Sequence, residues 1–217
     1  MNRRNRATKR NYSLQWMTGT ALMIAVTLVL ASTPLGRITL PFLTATTVHI
    51  PVIIATLTLG LRAGMLTGLV FGVHSLISNL TGASFFAPFF INPLVSVLPR
   101  MVFPAAVYLI ALVVKRLTAQ FDKRHAAAYV LASALGTAVH TLLVMGMIAL
   151  LYADRIAQML SGGAAVPEAI SANGVGAGIA VLGAANALPE MIVAAVIAPV
   201  ISMALDRALG RMIIRKA

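Results

Sequence analysis

No cysteine occurs in the 217 residues, so neither a disulfide nor a thiolate metal site is available. The four histidines are scattered and never take the i, i+4 spacing with a carboxylate that zinc sites use, so no metal ligand set is expected. Also missing is any Gly-x-x-x-x-Gly-Lys-Ser/Thr loop. The chain therefore cannot hydrolyse ATP by that route, and uphill uptake would have to draw its energy from a partner. Ser84, in Gly82-Ala83-Ser84, has no Gly-x-Ser-x-Gly setting and no acid suited to orienting a histidine, which argues against an intramembrane serine protease and leaves no catalytic residue to name. Trp16 is the only tryptophan and falls near the predicted inner end of the first span. Stacking of a ligand on tryptophan is thereby excluded, while Phe85, Phe86, Phe89 and Phe90 remain available for a flat ring. No long internal repeat is found, which weakens a transporter built from two inverted halves.

Charge is scarce as well: charged residues make up 10% of the chain against 59% hydrophobic, and the mean hydropathy is +0.93. Apolar stretches of that extent exceed what one globular core encloses, so the chain reads as an all-α, polytopic membrane protein. The net charge of +12 raises the question of nucleic acid, but its distribution answers it. Arg3, Arg4, Arg6, Lys9 and Arg10 precede the first apolar run, Lys115, Arg116, Lys123 and Arg124 separate two runs, and Arg207, Arg211, Arg215 and Lys216 follow the last. These are anchors flanking spans, with anionic membrane lipid and not nucleic acid as their partner. The N-terminal run resembles a signal peptide, but its apolar core of about 18 residues is longer than usual, so it is read as an uncleaved first span.

Six segments emerge, at 14–32, 47–61, 63–79, 93–116, 126–153 and 186–207. With the N-terminus inside, six crossings return the C-terminus inside, and only Arg37, Arg100 and Arg155 of the 17 basic residues fall on the outer half. The expected organisation is a basic cytoplasmic segment 1–13, a compact six-helix membrane domain 14–209, and a basic cytoplasmic tail 210–217. Segment 47–61 is short, about 22 Å, so something other than lipid should cover its outer end. The connection 154–185, rich in Gly, Ala and Ser, reads as an outer loop able to cover a cavity, with 174–183 apolar enough to dip into the membrane. Gly60, Gly64, Gly68 and Gly72 put four bare positions on one helix face; packing inside the bundle is preferred there to a dimer interface.

Polar groups inside such a chain need a reason. Asn92, Ser96 and Arg100 recur every four residues, so one helical stripe can carry an amide, a hydroxyl and a guanidinium, provided Pro99 does not break it. A guanidinium in hydrocarbon needs a partner or water; the candidate counter-charge is Glu190, read as the only acid within a membrane-length apolar segment. Asn186 lies four residues before Glu190 and shares its face if that helix extends upstream. Pro99 and Pro189 each suit a first helical turn. Three readings stand side by side: a structural Arg100–Glu190 pair fixing two helices, a site for a small polar ligand such as a carboxylate, for which Arg has the best geometry, and a mixed role in which the two pair when the site is empty and bind when it is loaded. His49, Asn79 and Asn173 are secondary candidates near predicted outer ends, and a lone Asn there also reads as a cap. His74 and His140, mid-segment, read as buried structural histidines. Ala21 and Ala25 form a small-x-x-x-small pair that lets another helix approach.

Taken in order, the pair Ala21 and Ala25, the run HIPVIIATLTLGLRAG at 49–64, GLVFG at 68–72, FFINPLVSVLPR at 89–100 and NALPE at 186–190 resemble the substrate-binding S components of energy-coupling factor (ECF) vitamin transporters, most of all the pantothenate type. The resemblance covers most of the chain. It implies a compact six-helix protein of the bacterial plasma membrane, without cofactor, that binds a small vitamin from outside. It also implies association with a transmembrane coupling subunit and two ATPases, which supply the energy, and toppling in the membrane to release the cargo inside. Ala21 and Ala25 would meet the coupling subunit. The ligand would sit near the outer face against helices four to six, at Asn92, Arg100, Asn186 and Glu190, with Ser96, His49 and Asn79 alongside. Pantothenate is the expected vitamin; folate, riboflavin or a queuosine precursor is the alternative within the class, and a membrane enzyme or scaffold without transport activity the alternative outside it.

Overall fold

The first helix, α1 (Arg3–Ser32), runs until Pro34, which cannot continue it, and a 3-10 turn at Pro34–Gly36 leads into a short antiparallel hairpin of β1 (Arg37–Leu40) and β2 (Leu43–Thr46). The computed structural model describes residues 3–40, 43–81, 86–120, 125–162 and 168–208; Ser84, Phe85, Lys123, Arg124, Pro167 and the tail 210–217 lie outside them. The remaining elements are α2 (Ile50–Leu59), α3 (Leu61–Leu80), α4 (Ala87–Phe90), α5 (Pro93–Ser96), α6 (Leu98–Thr118), α7 (Ala126–Ser161), α8 (Glu168–Asn173) and α9 (Val175–Ala208). The membrane body is all-helical, as expected; the hairpin is the departure from it among the described residues.

Among the described residues, five helices are long and apolar enough to cross a membrane: Ser13–Ser32, Leu61–Leu80, Pro93–Thr118, Ala126–Met159 and Val175–Ala208. The second expected span, 47–61, is instead the ten-residue helix α2, about 15 Å long against a hydrocarbon core of about 30 Å. Every residue of α2 is buried, as an apolar surface on all sides requires; α1, α3, α6 and α9 surround it. Trp16, near the start of the apolar span of α1, donates its indole N–H to the Leu59 carbonyl at 3.1 Å, and Ser32, at the end of α1, hydrogen-bonds the His74 ring at 3.2 Å. The end of α2 therefore lies beside the start of that span, and the end of α1 beside the later turns of α3. Gly60, at φ 96°, separates α2 from α3 with a backbone conformation that side chains rarely adopt.

The glycine stripe packs inside the bundle. A Cβ at Gly64 would meet Thr56 and Pro104, one at Gly68 the Arg100 backbone, and one at Gly72 the Val97 Cα at 2.7 Å and the Ser96 carbonyl at 2.9 Å. The stripe thus brings α3 against the α5–α6 junction at backbone contact.

The expected outer loop 154–185 is largely helical. Helix α7 continues to Ser161 and α8 turns at Gly174, at φ 79°, into α9. Alanine favours helix, and the scattered glycines are placed where backbones meet: a Cβ at Gly178 would fall 2.6 Å from the Ala169 carbonyl. With α9 starting at Val175, Pro189 sits in a helix interior, together with Pro199, and not in a first turn; Pro99 does occupy the first turn of α6. Glu190 is also not the only acid buried in α9. Asp206, 3% exposed, accepts a hydrogen bond from Tyr129 at the start of α7, tying the start of α7 to the end of α9.

Among the described residues two apolar clusters form the interior. One surrounds α2, with Phe71, Phe103 and Ala194; the other joins Phe89 and Val95 to Val144, Ile148, Ile170 and Ile179. Leu109, Leu142, Leu150, Ile192 and Val200 point outward, the surface that lipid covers.

Candidate functional site

Where the two clusters meet, with Phe71 from the first and Val144 from the second, the helices enclose a cavity of about 460 Å³. Its wall is drawn from the end of α1, Thr46 at the end of β2, the last turns of α3, Phe86 and Phe90, the start of α6, and the middles of α7 and α9.

Arg100 reaches this cavity through a local interruption. Asn92 caps α5, its Oδ1 accepting from the Leu94 N–H at 3.0 Å while its amide donates to the Tyr152 hydroxyl at 3.0 Å; Ser96 donates to the Phe90 carbonyl. Four residues after Val95 comes Pro99, which has no N–H to offer that carbonyl. Arg100 fills the vacancy: its Nη1 donates to the carbonyls of Val95 and Ser96, both at 2.9 Å. The guanidinium then lies 5.1 Å from the ring centroids of both Phe71 and Phe90, inside cation–π range. Its Nε has no partner, and among the described residues Nη2 makes no hydrogen bond either, so the Nε–Nη2 edge is open.

Glu190, 5% exposed, does not pair with it. One carboxylate oxygen accepts from both the Thr46 N–H, at 2.8 Å, and the Thr46 hydroxyl, at 2.7 Å, which fastens the hairpin's last residue to α9; the second oxygen takes no hydrogen bond among the described residues. No Arg100–Glu190 ion pair forms among the described residues, so the structural-pair reading is set aside. The reason is local: each group is claimed by a nearer backbone, Arg100 by α5 and Glu190 by β2.

Of the residues picked out in the sequence, Asn79, Arg100, Asn186 and Glu190 line the cavity. Asn186 does share the Glu190 face of an extended α9, and it and Asn79 both spend their amide N–H on the carbonyl one turn back, Leu182 at 2.9 Å and Ser75 at 2.7 Å. Asn92 and Ser96 are outside the wall and shape the platform on which Arg100 rests. His49 lies behind it, stacked on His140 with centroids 5.8 Å apart. Asn173 is exposed at the end of α8 and bonds Ala169. The wall further includes Thr46, Phe71, His74, Ser75, Ser78, His140 and Thr141, none of which was singled out in the sequence as a ligand contact. A signal existed for α3: Phe71, Ser75, Ser78 and Asn79 fall at helical spacing on one face near its end, a polar stripe in an apolar span. Ala21 and Ala25 are exposed, one turn apart on α1.

Residues 15–202 match the family described as ECF transporter, substrate-specific component. The chain belongs to that family. It is accordingly an integral membrane, substrate-binding subunit of an ECF transporter; such components bind small-molecule substrates, work with a coupling subunit and ATPases, and are not an enzyme family. No curated protein matches the chain. For an S component, a largely apolar cavity with a few convergent polar groups is the place to seek the substrate.

Proposed function

We propose that this S component binds pantothenate from outside a bacterial cell and passes it inward with a transmembrane coupling subunit and two ATPases. The observation that carries this reading is Arg100. It is a buried cation with no carboxylate partner among the described residues, its Nε–Nη2 edge unpaired and its guanidinium 5.1 Å from the ring centroids of Phe71 and Phe90. A cation removed from water needs an anion, and that edge has the geometry for a bidentate carboxylate. Pantothenate supplies the carboxylate, and its hydroxyls and amide find acceptors in Asn79, Asn186 and Glu190 and hydroxyl partners in Ser75 and Ser78. The volume lies within the range of about 300–1,000 Å³ typical of small-molecule sites.

The same reading takes α2 as a shortened crossing. Lipid need not be matched by a helix that other helices cover on all sides, and its end beside Trp16 returns the chain to the level where the apolar span of α1 begins. Six crossings with both termini cytoplasmic follow, with the cavity toward the outer face. Phe71, Phe86 and Phe90 in the wall favour a second reading, a flat-ring vitamin such as folate, riboflavin or a queuosine precursor. Mass spectrometry of the ligand retained by gently purified protein decides: the mass of pantothenate is expected, and that of another vitamin overturns the assignment within the family.

A further inference from the structure

We propose that His140 is a specificity-determining residue of this cavity, reading the carboxylate end of the ligand together with Arg100. The proposal rests on the carboxylate reading of Arg100 and goes beyond it. His140 lines the cavity although it is only 6% exposed, and both of its ring nitrogens are buried without a partner. The ring is fixed by aromatic neighbours: Phe103 at 4.8 Å, His49 at 5.8 Å and Phe71 at 6.0 Å between centroids. Phe71 is also the ring over which the Arg100 guanidinium lies. Five buried nitrogens without partners, two each of His140 and of the His49 ring stacked on it and Nε of Arg100, are therefore gathered in this aromatic cluster, and three of them belong to His140 and Arg100 in the cavity wall.

Native interiors pair nearly all of their buried polar atoms, because an unmade hydrogen bond leaves its desolvation cost uncompensated. A lone exception is unremarkable; three on two neighbouring residues of a cavity wall point to a ligand that reorients them on binding. A neutral imidazole offers one donor and one acceptor. The donor suits a carboxylate oxygen that the guanidinium edge does not occupy, and the acceptor suits a hydroxyl or amide N–H close to the carboxylate. The ligand class so defined is a carboxylic acid with a hydrogen-bond donor within a few atoms of it, and an uncharged analogue of the same shape is discriminated against.

The test compares pantothenate with panthenol, in which an alcohol replaces the carboxylate, by titration into the full-length protein in lipid nanodiscs. His140→Phe preserves the ring packing and removes both polar atoms. It is expected to weaken pantothenate binding by about 10- to 100-fold, the loss of a hydrogen bond to a charged group, and to weaken panthenol binding, which loses only the neutral hydrogen bond of its amide N–H, by no more than about 2- to 10-fold, so that the acid-to-alcohol ratio falls. His140→Gln, which restores a donor and an acceptor, should recover part of the preference for the acid, and it carries the test if His140→Phe fails to fold. Unchanged pantothenate affinity and an unchanged acid-to-alcohol ratio in the folded variant overturn the proposal. If wild type ignores pantothenate, the same comparison is made with other carboxylate vitamins and their amides. A binder whose acid preference collapses in His140→Phe removes pantothenate and upholds His140; no carboxylate binder at all removes both.

Discussion

Replacing Arg100 by alanine separates a ligand anchor from a structural device, because the two roles draw on different edges of one guanidinium. On the structural side, the substitution removes two hydrogen bonds of 2.9 Å to the Val95 and Ser96 carbonyls. It strands the former, since Pro99 offers no N–H, at a cost of about 1–3 kcal/mol. Contacts with two aromatic faces at 5.1 Å add roughly 1 kcal/mol each. Against this stands the relief of no longer burying a cation, a penalty of several kcal/mol. The opposing terms nearly cancel, so the empty protein should change in stability by no more than about 2 kcal/mol in either direction.

Binding has no such cancellation. Removing the partner of a desolvated carboxylate costs about 2–5 kcal/mol, part of it the stranded charge on the ligand, which corresponds to roughly 30- to several-thousand-fold in Kd. Calorimetric titration of pantothenate into wild type, Arg100→Ala, Arg100→Lys and Glu190→Gln, each first shown to be folded and monodisperse, reads this directly. Arg100→Lys should recover only part of the loss, since the fork is gone. Glu190→Gln keeps an acceptor for Thr46 and removes a charge that an anion must tolerate, so it should weaken binding less than Arg100→Ala does. Equal affinity in wild type and Arg100→Ala would refute the reasoning, as would equal and severe destabilisation by Arg100→Ala and Glu190→Gln.

Gly68→Ala places a methyl against the Arg100 carbonyl; it should destabilise the protein by about 1–3 kcal/mol and weaken ligand binding by displacing α6, both visible when thermal unfolding and titration are run on the same preparation. Replacing Ala21 and Ala25 together with leucine fills an exposed face of α1 remote from the cavity wall. It should abolish co-purification with the coupling subunit and ATPases while leaving vitamin binding intact, and a double variant that still assembles and supports uptake would move the interface elsewhere. Because the chain has no cysteine, single cysteines report topology cleanly. In whole cells an impermeant thiol reagent should modify Ser161→Cys and spare Gln120→Cys, and the reverse pattern would invert the orientation.

What was legible in the sequence follows from which forces act over short spans of chain. Long apolar runs and the basic clusters between them announce helices in lipid, because hydrocarbon forbids any other open backbone, and α1, α3, α6 and α7 lie where those runs predicted. The start of α9 did not, since Gly and Ala at 174–185 are ambiguous by composition: they form helix there only because α8 folds back at Gly174 and lies on Gly178. Arg100 was legible because a guanidinium in an apolar run violates the local pattern. Its relation to Glu190 was not, since the choice of partner depends on carbonyls freed at Val95 and on where β2 ends.

The histidines show the same limit from the other side. His140 in an apolar helix reads as a satisfied core residue when only its own turn is in view, since a carbonyl one turn back is the usual partner. In α7 those carbonyls are engaged in a regular helix, and the residues reaching the ring from the cap of α2, from α3 and from α6 are His49, Phe71 and Phe103. Two of the three carry no hydrogen-bonding side-chain atom. What leaves His140 without a protein partner is thus the aromatic packing that also cradles Arg100. A substrate that brings its own donor and acceptor is what the proposal adds to that packing.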